Sequence, residues 1–232
     1  MYSLLKSEVG PYPQASSPPS GIDPHAEDLK ARGRLYPVTI LYGTFLVAVV
    51  GSAIRSGNAL RALAFAVLAV PAWTLVEYLS HRHMMHRAFP KGTAWLTRLL
   101  HVLFDASHAD HHARPWDGYH INGHLDTLMV FVVVAPLSFL APPHTAPVFI
   151  AVFFVCYAVE EWLHHSMHFW NIDSTYLQYV RRRHLYHHSR HGVGVAYGIT
   201  SGIWDTVFGT RIPAPERQRL RRGSTAAPTA TA

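Results

Sequence analysis

The sequence predicts an all-α integral membrane protein: four apolar transmembrane helices in two hairpins, carrying a cytoplasmic, helical, histidine-rich cap able to hold two metals. Three observations predict it. Four uncharged stretches run Tyr36–Ile54, Ala62–Val76, Thr127–Ala141 and Thr145–Val159. Basic residues crowd one side of those stretches. Ten of the 18 histidines fall into four tight clusters where apolar runs end.

A spanning helix needs roughly 20 apolar residues. The first run nearly meets this, and the other three continue into polar sequence, as helices do when they emerge from a bilayer. The segment Ala141–Pro142–Pro143–His144 turns the last two into a hairpin. With the N-terminus cytoplasmic, only Arg55 and Arg61 face outward, so 18 of the 20 Lys and Arg stay inside. The net charge of +6 then suits a membrane surface rather than nucleic acid. Both termini and every clustered histidine fall on that cytoplasmic side.

The 232 residues suit one domain with a real core. Residues 1–35, Pro- and Ser-rich over Gly10–Gly21, are expected to be a disordered N-terminal segment, 36–212 the membrane domain, and 213–232 a disordered basic tail. The first apolar run begins only near residue 36 and lacks a small-residue cleavage site, so no signal peptide is expected. There is no repeat of fixed period. The single cysteine, Cys156, lies in an apolar run, which excludes a disulfide framework and a thiolate metal site.

The clusters are His81 and His86; His108, His111 and His112; His164 and His168; His184, His187 and His188. Imidazole is the commonest neutral metal ligand and suits iron, copper, zinc and nickel. Ten exceed what one ion can hold, which points to two. In a helix, positions i, i+3 and i+4 lie within an arc of about 100°, so each His-x-x-His-His is expected to converge on one point. His164 and His168 share a face. His81 and His86 are five apart, so their helix is expected to loosen or end between them. One His-x-x-His-His is within reach of chance in a chain this rich in histidine; two, each paired with a further doublet and each following an apolar hairpin, are not.

Ligating imidazoles normally donate their other N–H to a carboxylate or carbonyl. Glu77, Asp110, Glu161 and Asp205 are spaced for that, Glu77 and Glu161 standing one helical turn before His81 and His164. His191, seven residues after His184, is expected on the same face. His83 and His165 point elsewhere, His25 and His144 lie in a flexible segment and an outer turn, and His101, His120 and His124 are read as surface or supporting positions. Trp73, Tyr78, Trp162, Phe169 and Trp170 suit an interfacial belt.

Taken in order, Thr74-Leu-Val-Glu-Tyr-Leu-Ser-His-Arg-His-Met-Met-His86, His108-Ala-Asp-His-His112 followed by Pro115-Trp-Asp-Gly118, His164-His-Ser-Met-His-Phe169, His184-Leu-Tyr-His-His-Ser-Arg-His191 and Tyr197-Gly-Ile-Thr-Ser-Gly-Ile-Trp-Asp-Thr-Val-Phe-Gly-Thr210 resemble the integral-membrane fatty acid hydroxylase superfamily. Its members are di-metal, histidine-rich oxygenases that include sterol desaturases and fatty acid 2-hydroxylases. The resemblance covers roughly residues 60–210. It implies that the ten histidines hold two iron ions, with zinc possible in purified protein. It also implies that O2 is co-substrate and that the acyl chain of a fatty acid or acyl lipid, supplied by the bilayer, is hydroxylated at C-2.

Many such 2-hydroxylases carry a fused cytochrome b5 domain. About 35 residues before the first span are too few for one, so a separate electron donor is expected, such as cytochrome b5 or ferredoxin with its reductase. The location implied is a bacterial inner membrane, or the endoplasmic reticulum in a eukaryote. Asp117 and Tyr119 are candidate contacts for a polar head group. Desaturation, or a sterol or carotenoid substrate, fits the same framework. A metal transporter should place ionisable residues inside the spans, and the four apolar runs contain no His, Asp or Glu. A zinc hydrolase usually uses three protein ligands rather than ten.

Overall fold

The computed structural model describes residues 20–222 apart from 88, 90–93, 122–124, 172, 190 and 193, and every regular element among them is helical. His124 lies outside the described residues. Helix α1, Pro24–Arg55, opens on Asp23, whose carboxylate accepts from the His25 backbone N–H at 3.0 Å. Pro24 follows at a position whose N–H has no helical partner to lose. At 1.5 Å per residue its 32 residues reach about 48 Å, well beyond the ~30 Å hydrocarbon layer. The surplus is residues 24–35, which are therefore helical rather than part of a disordered segment.

Ser56–Asn58, with Gly57 at φ 70°, turns the chain into α2, Ala59–Ser80. A π turn, His81–Met85, prolongs it. Short helix α3, Trp95–Leu100, passes through a second π turn, His101–Ala106, into α4, Ser107–Ala113. Then come α5 (Leu125–Ser138), α6 (Ala146–Phe169), α7 (Thr175–His187), α8 (Ile203–Val207) and α9 (Ala214–Arg222). Helix α9 occupies part of the expected disordered tail.

Among the described residues three helical stretches are long and apolar enough to cross a membrane, Pro24–Arg55, Ala59–Met85 and Ala146–Phe169. The span expected at Thr127–Ala141 is the 14-residue α5, about 21 Å long, too short alone for a bilayer core. Both hairpins are present, and three full-length spans are found among the described residues.

Helix α6 packs against α1, α2 and α5. The centre is aromatic: the fully buried Tyr42 ring lies 4.8 Å from Phe131 and 5.1 Å from Phe154, and Trp73 meets Phe153 edge-on at 5.0 Å. Ile40, Val47, Val67 and Val132 point outward and are exposed. Helices apolar on their outer faces as well as their inner ones belong in lipid. At one end of α6, Asp28 of α1 takes hydrogen bonds from Arg32, from His165 Nε2 at 2.7 Å and from Trp170 Nε1 at 3.3 Å. The projecting start of α1 is thereby bound to the histidine-bearing end of α6. It also receives the loop after α4, because the Gly118 N–H donates to Glu27 at 2.8 Å and its Cα sits against the Glu27 carbonyl.

Tyr42→Ala is expected to open a cavity among Phe131, Phe154 and Tyr157 and to lower stability by on the order of 3 kcal/mol. Thermal unfolding in detergent should show this while metal content, measured on the folded fraction, stays at the wild-type level.

Candidate metal centre

The ten clustered histidines come together as two groups of five. One comprises His81, His86, His108, His112 and His187; the other His111, His164, His168, His184 and His188. Within each group one ring nitrogen per residue lies within 4.8 Å of all the others, and eight of the ten side chains are buried, His108 and His168 less so.

This division differs from the convergence expected of each His-x-x-His-His. His108 and His112 serve one group and His111 the other; His184 and His188 serve one and His187 the other. The reason is angular. At 100° per residue, i and i+4 differ by about 40°, whereas i+3 lies about 100° from i+4 on the helix surface. One helix therefore addresses two centres. The His81–His86 spacing finds its own solution in the π turn, where the His86 N–H bonds the His81 carbonyl at 3.2 Å. Five residues make roughly one π turn, so both rings come to one side. Their Nε2 atoms are 3.2 Å apart.

Nitrogen-to-nitrogen distances in the first group are short: His86 to His187 2.9 Å, His86 to His108 2.9 Å, His108 to His112 3.0 Å and His81 to His108 3.1 Å. In the second, His164 meets His111 at 3.1 Å and His168 meets His184 at 2.9 Å. Ligands about 2.1 Å from an ion and at right angles across it stand about 3.0 Å apart, so the spacing is that of neighbouring ligands. Two nitrogens are fixed as ligands by their rings' other ends. His81 Nδ1 faces the Tyr197 carbonyl, and His187 Nδ1 the Val195 carbonyl at 2.7 Å. A carbonyl only accepts, so each Nδ1 carries the proton and each Nε2 presents a lone pair inward. The backbone of Pro115 hydrogen-bonds His168. His188 is fully buried with neither ring nitrogen hydrogen-bonded among the described residues, a costly arrangement unless something else binds it. These features fit a cation at each group, and the two groups can bind metal.

Burial first, and neighbouring imidazoles second, hold His86, His108, His111, His112, His184 and His188 well below their ordinary pKa of 6.5. His187 is pushed down the same way, chiefly by burial. All are neutral, ligating forms at neutral pH.

The carboxylates expected behind the rings act at one remove. Asp205, buried, accepts from Tyr197 N–H at 2.8 Å, Gly198 N–H at 3.1 Å, Thr210 Oγ1 at 2.8 Å and Arg183 Nη2 at 3.1 Å. Glu77 accepts from Ile199 N–H at 2.6 Å and from Thr200 N–H at 3.0 Å and Oγ1 at 2.5 Å. Together they clamp residues 197–200, and so the Tyr197 carbonyl that orients His81. Ala196, between the two acceptor residues, has φ 60°, the left-handed region that strains a non-glycine residue.

Two other expected positions, Asp110 and His191, are not brought to the rings. Asp110 points outward and pairs with Arg114 at 3.2 Å, because it lies on the opposite side of α4 from the buried histidines. His191 is exposed, since α7 ends at His187 and the helical period no longer carries to it. Glu161 is buried beside the site. Asp117 caps its own turn through the Tyr119 N–H at 2.9 Å, and the exposed Tyr119 ring carries the Arg34 guanidinium at 4.3 Å. Both face the start of α1.

A cavity of about 260 Å³ adjoins the two groups. Its walls are apolar, from Trp73 and Val76 of α2, Val130 of α5, Phe153, Phe154 and Tyr157 of α6 and Leu103 and Phe104 of the second π turn. It ends on His81, His108, His111, His164 and His184, thus on both groups, with Glu160, Glu161 and His120 beside them. Spacing alone does not show that His120 or Glu160 lines a chamber; that depends on how the loop after α4 folds over α6.

The fatty acid hydroxylase family model matches residues 66–210, more than half of the sequence and every one of the ten histidines. The chain belongs to the fatty acid hydroxylase family. It is 31% identical over 152 residues to a dihydroceramide fatty acyl 2-hydroxylase of Arabidopsis thaliana, covering 64% of this chain and 59% of that one. It is 31% identical over 152 residues to the fatty acid 2-hydroxylase of Rattus norvegicus, covering 63% and 39%. The chain thus spans between two fifths and three fifths of these relatives' length. The solved structure of full-length scs7p, in which only the hydroxylase domain is visible, superposes with a TM-score of 0.66 at 25% identity, covering 77% of this chain and 67% of that one.

Two outcomes follow for this member of the family. Asp205→Ala, which leaves all ten rings in place, is expected to weaken metal binding about 10–100-fold, read by competition with a coloured chelator. Because the depressed imidazoles take up protons on unfolding, stability is fully present above the unfolded pKa of about 6.5 and is lost as pH falls below it. The melting temperature of the metal-free protein should be flat near pH 7–8 and fall steeply below pH 6.5.

Proposed function

We propose that this chain is the catalytic unit of a membrane-bound, non-haem di-iron lipid hydroxylase that oxidises the acyl chain of a fatty acid or acyl lipid at C-2. The observation that carries this reading is the apolar cavity that ends on imidazoles of both groups. A metal store or zinc hydrolase has no use for a chamber walled by apolar side chains at its ligands. The plant and rat relatives, both acyl 2-hydroxylases, support the same reaction class.

In this reading each group of five imidazoles holds one iron. Bound and reduced, the pair would supply O2 activation for C–H oxidation. The chain's own part is to receive, orient and exclude. An acyl tail lies along the Trp73–Val76 side of α2 and the Phe153–Tyr157 side of α6, with the carbons to be oxidised against His81, His108 and His164. The dry walls keep water away from the reacting centre. Ten neutral imidazoles would hold the ions without supplying any compensating negative charge. Glu160 and Glu161, buried at the end of the cavity beside His164, are suited to accept hydrogen bonds from the N–H and O–H groups of an acyl-lipid head group. The metal face and both termini lie on the cytoplasmic side of the membrane, and electrons come from a separate carrier such as cytochrome b5 or ferredoxin with its reductase.

The test is expression in iron-supplied cells, with elemental analysis of the purified protein and lipid mass spectrometry of the cells. About two irons per chain and acyl lipids that gain one oxygen are expected; loss of two hydrogens instead would make it a desaturase. His187→Ala should abolish the product while membrane insertion persists, and undiminished turnover in that variant would refute the site.

A further inference from the structure

A second cavity, of about 60 Å³, lies behind the first centre, on the far side of the residues 195–205 segment. Three guanidiniums reach it: Arg183 from α7, Arg211 from the strand-free link after α8, and Arg217 from α9. Arg183 is buried and bonds through Nη2 to the Gly198 and Ser201 carbonyls and to Asp205. One positive charge is thus balanced by Asp205. Arg211 and Arg217 form no ion pair among the described residues, and the neighbouring Glu216 is engaged by Arg219 at 3.2 Å. Arg217 Nε is buried and has no hydrogen-bond partner among the described residues. The cavity therefore carries an excess of about two positive charges and a donor with no acceptor among the described residues.

Its surroundings are those of a membrane surface. Helix α8, which forms one wall, exposes Ile203 and Val207, and Phe208 just after it is exposed too. Trp204 on the same turn donates to Thr74 Oγ1, within the span of α2, at 3.1 Å, and Phe208 stacks on Tyr78 at 5.2 Å. An apolar turn against a spanning helix, with Arg211 in the link that follows it, is the arrangement of a chain dipping into the headgroup layer. Arginine's planar fork matches phosphate oxygens in pairs.

The geometry points to a binding site for a phosphate group at Arg183, Arg211 and Arg217, with an anionic phospholipid headgroup as the source that the exposed apolar turn favours. The site is distinct from the acyl cavity and does not depend on the proposed reaction. A phosphate there would lie against the Arg183–Asp205 pair that clamps Tyr197, so its occupancy would stiffen the support of His81.

Native mass spectrometry of the full chain in detergent, titrated with phosphatidylglycerol, tests this. One tightly retained lipid is expected, with at least tenfold weaker retention in R211Q/R217Q and a clear loss in the milder R211Q. The control R219Q/R221Q removes the same charge outside the cavity and should retain the lipid. Inorganic phosphate that competes with the lipid in the wild type and fails to bind R211Q/R217Q would also support the site. Unchanged retention in R211Q/R217Q, or equal loss in the control, overturns it.

Discussion

Everything at the metal centre depends on one backbone segment, residues 195–200, being held still. Its carbonyls at Val195 and Tyr197 fix the tautomers of His187 and His81, and those two rings anchor the first group of five. Nothing in a carbonyl restrains itself. The restraint comes from Asp205 on one side and Glu77 on the other, which take the segment's N–H groups, and from the Ala196 N–H to Thr210 carbonyl bond at 2.9 Å. Ala196 accepts a strained φ because these bonds leave it no alternative. A buried carboxylate is tolerable here since each is met by several donors at once.

The membrane part serves the same end by different physics. Interhelical attraction in lipid rests on packing rather than on water exclusion, and the aromatic knot of Tyr42, Phe131, Phe154 and Trp73 provides it. Polar ties appear where the helices leave the apolar region. The Asp28–His165 bond and the Trp162 Nε1 to Thr39 Oγ1 bond at 2.9 Å set α1 against α6 just before the His164–His168 pair. The apolar cavity is the space left between this knot and the imidazoles.

Much of this was legible in the residues. The apolar runs marked the long helices because lipid imposes a minimum length and a lack of charge, and the histidine doublets marked the centre because few other roles gather so many imidazoles. The Thr127–Ala141 run is not among the described helices long enough to span alone, because hydropathy records composition, while crossing demands length, and α5 is short. The split of each His-x-x-His-His between two groups follows from helical angle, yet it shows only when the second group is in place. Val195 and Tyr197 left no trace, since a backbone acceptor has no side-chain signature. Asp110 and His191 had suitable spacing but the wrong side of a helix or none at all.

That split has a consequence for assembly. His111 and His112 are adjacent on α4, and His187 and His188 straddle the end of α7, yet each neighbour belongs to a different centre. An ion captured by the first group therefore pins two backbone positions whose next residues are ligands of the second. The conformational freedom surrendered by α4 and α7 at the first capture need not be surrendered again. The two centres should fill cooperatively, with singly loaded chains scarce at any level of metal supply.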